Sequence, residues 1–235
     1  MVNVYAIRID DSIDDYTYRQ LLSYISKEKY ERIKKFYFME DAKRALYGNL
    51  LVRHLACNKL NVANNELIFK CNEFGKPFLQ GCSDFHFNIS HSGIWVVCAI
   101  GKKEVGIDIE QIKSIDFDIA KRFFSNTEYE MLMSKPDDLK TNYFYDIWTL
   151  KESYIKCTGK GLSVPLNSFN VCIDNHTVDA VPNKFPDLYL FQLSLDIEYK
   201  LSVCSKDSSL SEKINIIDIN FIKEALTHGN QRKNH

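Results

Sequence analysis

The stretch Trp148-Thr-Leu-Lys-Glu-Ser-Tyr-Ile-Lys-Cys-Thr-Gly-Lys-Gly161 predicts a helix around which we expect the fold and its chemistry to be organised. At 3.6 residues per turn, Phe144, Trp148 and Ile155 share one stripe of this helix, and Glu152 falls on the same stripe. A carboxylate on a packing face is costly unless a cation or hydrogen-bond donors meet it. Glu152 therefore needs a partner. The two glycines that close the stretch predict the end of the helix.

The nearest candidate partner of Glu152 is Lys156, one turn further along the helix. An isolated pair with this spacing is usually an exposed ion pair of no functional weight, and the pair alone favours that interpretation. A second group of carboxylates upstream favours a functional site instead.

That second group lies in the segment Val105-Gly-Ile-Asp-Ile-Glu110, which alternates like a half-buried strand. Two strands are predicted before it, one ending at Ser90 and His91 and the next spanning Ile94–Ile100. A three-strand meander would bring Ser90, His91, Asp108 and Glu110 to one rim, about 10 Å apart across two strand spacings. An alternating strand with a wet acidic face is the plain alternative. Together with Glu152, however, we expect three carboxylates around one divalent cation.

The ligand type predicts the metal and the substrate. Three carboxylates without thiolate or imidazole are hard ligands, which favour Mg²⁺ or Mn²⁺. Magnesium held by so few protein groups usually also binds substrate phosphates. His91, Lys151 and Lys156 could reach such an anion. The chain has neither a Gly-x-x-x-x-Gly-Lys-Ser/Thr loop nor a Gly-x-Gly-x-x-Gly motif after its first strand, so we expect no common nucleotide-binding fold.

Composition limits the class of protein. The chain has 235 residues, is 45% hydrophobic and carries a formal net charge of -1, which argues against a protein that binds nucleic acid through bulk charge. Its seven scattered cysteines form no Cys-x-x-Cys pair and suit a reducing cytoplasm. The N-terminus does not resemble a signal peptide, and no apolar run is long enough for a membrane span. We expect a cytoplasmic protein with no nucleic-acid or membrane partner.

Five blocks of sequence resemble, in order and spacing, the 4'-phosphopantetheinyl transferases of the Sfp-like, surfactin-synthetase-activating type. The blocks are Phe74–Pro77, Phe87–Ser92, Gly106–Glu110, Arg122–Glu128 and Trp148–Leu162. The resemblance implies transfer of the phosphopantetheine arm of coenzyme A to a serine of an apo carrier protein (acyl, aryl or peptidyl), with magnesium, and release of adenosine 3',5'-bisphosphate.

The resemblance also implies roles for residues that match its motifs. The implied metal ligands are Asp108, Glu110 and Glu152. The implied phosphate contacts are Ser90, His91, Lys151 and Lys156. The segment beside the adenine is implied to be Gly75, Lys76 and Pro77. The basic set for the 3'-phosphate is implied to be Lys29, Arg32 and Arg44.

The residues expected to carry catalysis are Glu152, Lys156 and His91. Lys156 and His91 would stabilise the equatorial oxygens of the transferred phosphoryl group. A partly buried Glu152 with a raised pKa is the obvious base for the serine proton, but a metal ligand with a depressed pKa is a poor base. Whether Glu152 is ligand, base or both, or whether a metal-bound water intervenes, stays open at this point.

The predicted order of helices and strands returns after Gln111, so we expect an α+β fold of two similar lobes. The expected ranges are 1–111 and 112–222, followed by a polar, frayed tail over 223–235. The site would then lie between the lobes. Such a duplicated chain resembles the pseudo-two-fold monomers of the family rather than its half-length trimers.

Two alternatives and a partner surface complete these expectations. A coenzyme A sensor without turnover and a magnesium-dependent transferase with a small-molecule acceptor are the rival functions. For the carrier, the segment Ile119–Phe124 offers basic and aromatic side chains. It lies before a helix start predicted by the capping-box pattern Ser125-x-x-Glu128. We expect at least one of its two phenylalanines to be buried in the core.

Overall fold

The computed structural model of the chain describes residues 1–9, 13–174, 177–181 and 188–231. It is an α+β fold, as predicted. The helices are α1 (Asp15–Leu22), α2 (Lys27–Ile33), α3 (Met39–Leu60), α4 (Asp118–Phe123), α5 (Asn126–Met133), α6 (Asp137–Thr158) and α7 (Ile219–Gln231). The strands are β1 (Val2–Arg8), β2 (Phe69–Cys71), β3 (Pro77–Leu79), β4 (His86–Ser92), β5 (Trp95–Gly101), β6 (Val105–Gln111), β7 (Asn170–Asp174), β8 (Thr177–Val181), β9 (Tyr189–Leu193), β10 (Tyr199–Ser205) and β11 (Leu210–Ile216).

The first sheet has the strand order β11-β1-β5-β4. Strand β5 is buried along its whole length, as its continuous apolar sequence predicts for a central strand. It pairs antiparallel with β1 on one edge and with β4 on the other. The long helix α3 covers one face of this sheet, where Leu46, Leu50 and Leu51 are fully buried.

The second sheet has the order β6-β10-β9 and supports the helix of the quoted stretch. Helix α6 packs directly on β6 at Gly106, where a Cβ atom would collide with the backbone of Ser153 and Cys157. Only glycine permits two backbones to come this close. This contact presents the acidic face of β6 to the second half of α6.

The predicted three-strand meander is only partly right. Strands β4 and β5 form the expected hairpin, but β6 does not pair with β5. The reason is that β1 already occupies the free edge of β5, so β6 joins the second sheet through β10 instead. Strand β6 lies directly beside β4, and side chains rather than a backbone ladder connect the two strands: the Ile107 N–H donates to Asn88 Oδ1 at 2.9 Å.

The C-terminal part of the chain returns to the first sheet. Strand β11 pairs in parallel with β1, and Ile219, Ile222 and Leu226 of α7 are buried in the core beneath α3. The expectation of a frayed tail from residue 223 is therefore wrong up to residue 231, because apolar residues at helical spacing anchor this segment. Residues 232–235 lie outside the described part. The division into lobes at 111/112 and their pseudo-two-fold relation stay predictions.

Among the helices that the structure describes, none combines the length and apolar character needed to cross a membrane.

Candidate active site

Helix α6 carries two charged residues of the site, one turn apart. Glu152 and Lys156 are both half-buried on the side of α6 that faces β6. Helix α6 ends as predicted, at Gly159, which adopts a left-handed conformation with φ 68°. Lys156, the nearest candidate partner of Glu152, instead forms an ion pair with Asp108, whose Oδ1 atom lies 2.6 Å from the Lys156 ammonium.

Asp108 is the buried centre of the site. Its Oδ1 atom accepts hydrogen bonds from Lys156 Nζ and from Ser90 Oγ at 2.9 Å. Its Oδ2 atom is buried and has no hydrogen-bond partner in the described part of the chain. Burial raises the pKa of this carboxyl, and the Lys156 charge opposes the shift. A buried carboxylate oxygen without a donor is costly, so this side chain is set up to meet a further group.

Two more carboxylates, those of Glu110 and Glu152, lie close enough to Asp108 to be affected by its charge. Burial raises the pKa of Glu110, and the charge of Asp108 raises it further. The same two causes raise the pKa of Glu152. Glu110 Oε2 accepts a hydrogen bond from Ser92 Oγ at 2.8 Å. The structure thus brings the three predicted acidic residues into one electrostatic cluster, although the described residues contain no group of three ligands already arranged for a metal ion.

His91 and Ser90 stand beside this cluster at the end of β4. Ser90 Oγ also lies 3.0 Å from Lys156 Nζ, so the hydroxyl, the ammonium and Asp108 form one contact set. His91 is exposed, yet partial loss of solvation and the nearby positive charge of Arg44 lower the pKa of its imidazole. A neutral imidazole at neutral pH can meet a phosphate oxygen with an N–H donor.

The structure does not place Lys151 in the site. Its ammonium is buried on another side of α6, where it pairs with Glu128 Oε1 at 2.7 Å and donates to the Phe169 carbonyl at 2.6 Å. The expectation that Lys151 contacts a phosphate is therefore wrong. The cause is helical geometry: a residue directly before Glu152 is rotated by about 100° around the axis and points elsewhere.

The turn predicted to lie by an adenine is attached to the end of α6. Lys76 Nζ donates to the carbonyls of Val105 at 2.9 Å and Cys157 at 3.1 Å, and burial lowers the pKa of its ammonium. Asn72 Nδ2 donates to the Gly159 carbonyl at 2.9 Å. Gly75 has φ 86°, a left-handed conformation that favours glycine, and Pro77 opens β3. The Lys76 side chain thus ties this turn to β6 and to the end of α6.

The three predicted basic residues lie on α2 and α3. Arg44 donates to the Gly93 carbonyl at 2.9 Å and pairs with Asp41 at 2.6 Å. Burial lowers the pKa of Lys29, and the neighbouring charge of Arg32 adds to the shift. Arg32 itself is exposed. Of the three, Arg44 lies beside the site, because its charge also acts on the pKa of His91.

Sequence reasoning missed three residues that support the site. Asn88 and Ser92 bridge β4 to β6, and Ser92 Oγ also accepts the backbone N–H of Gln111 at 3.1 Å. Their positions alternate with the apolar residues of β4, which was the available signal. Glu128 was predicted only as a helix cap. It forms that capping box with Ser125 and also accepts the Val171 N–H at 2.6 Å.

Comparison with known proteins covers nearly the whole chain. The family model described as "4'-phosphopantetheinyl transferase, N-terminal" matches residues 13–103, and that described as "4'-phosphopantetheinyl transferase superfamily" matches residues 104–205. The chain is 40% identical over 218 residues to the 4'-phosphopantetheinyl transferase Sfp of Bacillus subtilis, covering 92% of this chain and 97% of that protein. The chain belongs to the Sfp-like 4'-phosphopantetheinyl transferases. These enzymes transfer the phosphopantetheine group of coenzyme A to a serine of a carrier protein, so the predicted family and activity are confirmed.

Other relatives of this transferase agree with the assignment. It is 41% identical over 214 residues to the 4'-phosphopantetheinyl transferase gsp of Aneurinibacillus migulanus, covering 90% of this chain and 89% of that protein. Among solved structures, the holo-[acyl-carrier-protein] synthase of Thermotoga maritima aligns with a TM-score of 0.38 and 18% identity, over 43% of this chain and 61% of that one. A score this low is too weak to support an argument.

Proposed function

We propose that this transferase works with Mg²⁺, for which Mn²⁺ could substitute, held by Asp108, Glu110 and Glu152. The observation that carries the proposal is the buried Asp108 Oδ2 atom, which lacks a donor in the described chain while two further carboxylates stand in its field. Burial raises the pKa of all three acids, the charge of Asp108 adds to the shift at Glu110 and Glu152, and a cation would relieve both effects. Oxygen ligands alone favour these two metals. When bound, the ion supplies positive charge to the pyrophosphate as its bond to the leaving bisphosphate breaks.

The protein's own groups account for the remaining contacts with the anion. Lys156 and Ser90 contact Asp108, and His91 is the next residue of β4; all three would donate to the oxygens of the transferred phosphoryl group. In the reaction the serine oxygen of the carrier forms a bond to phosphorus, and the bond to the bisphosphate oxygen breaks. The serine proton needs an acceptor. Glu152 is suited to this role because burial and the Asp108 charge raise its pKa. Glu152 would thus act either as the base or as a metal ligand, and these are two different assignments.

The adenosine end of coenzyme A would lie over the turn Gly75–Pro77, with its 3'-phosphate between Lys29, Arg32 and Arg44. The half-buried position of Lys29 supports this assignment, because desolvation disfavours its charge until an anion is bound. For the cell, we propose a cytoplasmic monomer whose protein partners are apo carrier proteins.

The 3'-phosphate assignment predicts a difference between two ligands. Lys29→Ala and Arg44→Ala should weaken binding of coenzyme A more than binding of dephospho-coenzyme A, by about 1 to 3 kcal/mol for each lost charged contact. Calorimetry with both ligands measures the difference, in which any general disturbance of the fold cancels. Lys59→Ala, at the exposed far end of α3, serves as the control. Equal losses for both ligands would show that the two residues do not contact the 3'-phosphate.

The activity itself is tested by the mass of the acceptor. Incubation with coenzyme A, Mg²⁺ and an apo carrier protein should add one phosphopantetheine to the carrier, and a carrier whose serine is replaced by alanine should gain nothing. A coenzyme A sensor without turnover would bind the coenzyme and leave the carrier mass unchanged. A transferase for small molecules would consume coenzyme A only when such an acceptor is supplied. Either outcome would overturn the proposal.

A further inference from the structure

Four consecutive large apolar side chains are exposed between α2 and α3. We call the segment Phe36–Met39 the aromatic strip: Phe36 is 41% exposed, Tyr37 92%, Phe38 61% and Met39 54%. Single exposed apolar residues are ordinary, but contiguous exposed patches on soluble proteins usually mark a binding surface. We therefore expect the strip to bind a partner.

The strip is held in place by the chain around it. Ile33 and Ala42 on either side are buried in the core of the first sheet. The Phe36 N–H donates to the Ile33 carbonyl at 3.2 Å, and the Phe38 carbonyl accepts the Ala42 N–H at 3.2 Å. The rings of Tyr37 and Phe38 form an edge-to-face pair with centroids 4.9 Å apart. An ordered aromatic pair loses little conformational entropy on binding, which is the property of an interface anchor.

The strip lies at the border of the active site. Helix α3 starts at Met39, and Arg44 lies less than two turns further along and donates to the carbonyl of Gly93. Both Arg44 and Asp41 lie close enough to His91 to affect the pKa of its imidazole, which Arg44 lowers and Asp41 raises. An acceptor that places a serine near His91 and Lys156 would thus pass close to this segment.

Charge favours an acidic partner. The exposed cations Lys34 and Lys35 immediately precede the strip in the sequence. They create a positive rim at one end of the apolar surface, which suits a partner whose apolar helix face is bordered by acidic side chains.

Helix α4, the segment expected to anchor the carrier, lacks exposed aromatic groups. Phe124 is 2% exposed and stacks on Phe144, and Phe123 packs edge-to-face against Trp148. At least one phenylalanine of this segment is in the core, as expected. Lys121 and Arg122 remain exposed, so α4 can offer charge, but the aromatic anchor has to come from another element.

We propose that the aromatic strip is the apolar anchor of the carrier-protein docking surface, and that it binds an apolar helix face bordered by acidic residues. The proposal rests on the transferase function and specifies how its protein substrate is held. Tyr37 and Phe38 supply the central contact, and Lys34 and Lys35 supply its positive rim.

The test separates binding of the carrier from binding of the coenzyme. The double variant Tyr37→Ser/Phe38→Ser should raise the KM for the apo carrier by about tenfold or more, as expected for an anchor pair, while kcat and the Kd for coenzyme A change less than about twofold. Ile197→Ser, which replaces a 93% exposed residue outside the strip, is the matched control and should leave all three constants unchanged. Lys34→Glu/Lys35→Glu should raise the KM in a manner that fades at high salt.

Several results would overturn the proposal. An unchanged KM for the carrier in the Tyr37→Ser/Phe38→Ser variant would show that the strip does not dock it. A loss of coenzyme A affinity would place the strip in the coenzyme site, and conversion of a dimeric wild type to a monomer without a change in KM would make it a self-association surface. If the wild type itself transfers nothing to any carrier, the proposed function fails instead, and the two failures are thereby distinguished.

Discussion

Replacing Glu128 by alanine should lower the free energy of unfolding by about 3 to 5 kcal/mol, because the Lys151 ammonium then stays buried without its carboxylate. The pair is almost fully enclosed: the side chains of Lys151 and Glu128 are 1% and 2% exposed. Glu128 also accepts the backbone N–H groups of Ser125 and Val171. The substitution therefore removes the side chain that joins α5 to α6 and to β7.

A double variant sharpens this prediction. Glu128→Gln/Lys151→Met removes both charges together, so it should cost less than Glu128→Ala alone although it changes more atoms. Urea unfolding measures each free energy, and Glu130→Ala, on the exposed side of α5, is the control. A loss below about 1 kcal/mol for Glu128→Ala would show that the pair does not hold these elements together.

The sequence predicted the local elements around the site well, because their signals are short-range. The apolar run of β5, the alternation of β6 and the glycine after α6 each determine one element without help from distant residues. The acidic residues of β6 share a face because a strand has period two, and the structure keeps Val105, Ile107 and Ile109 together in the core as expected.

These short-range signals do not predict which strands pair with each other in a sheet. Nothing in the sequence of β1 shows that it pairs with the free edge of β5, and this pairing moves β6 to the second sheet. The same displacement brings Ser90 into hydrogen-bond contact with Asp108, where the meander implied about 10 Å across two strand spacings.

Lys151 shows a further limit, because a motif lists residues in order but does not say which way each side chain points. Family resemblance grouped it with Lys156, whereas the partner that holds it, Glu128, lies 23 positions earlier in the chain. Sequence spacing on a helix could have separated the two lysines, since five positions correspond to a rotation of about 140° around the helix axis.

The largest expected effect on activity comes from the centre of the site. Asp108→Ala should reduce transfer to the carrier by about a hundredfold or more, because the residue joins Ser90 and Lys156 and would offer its free oxygen to the proposed metal. The fold should survive, since loss of one of three mutually repelling carboxylates relieves strain in the apo protein. Transfer is measured by carrier mass, and a near-wild-type unfolding curve is the control. Activity within about twofold of wild type would remove Asp108 from the mechanism.

Transfer to the carrier should depend on the metal. The transferase stripped with EDTA should leave the apo carrier at its original mass in the presence of coenzyme A. Adding excess Mg²⁺ should restore the phosphopantetheine mass on the carrier serine, and Asp108→Ala should not recover at the same Mg²⁺ concentration. Full transfer in EDTA would show that the three carboxylates do not act through a metal ion.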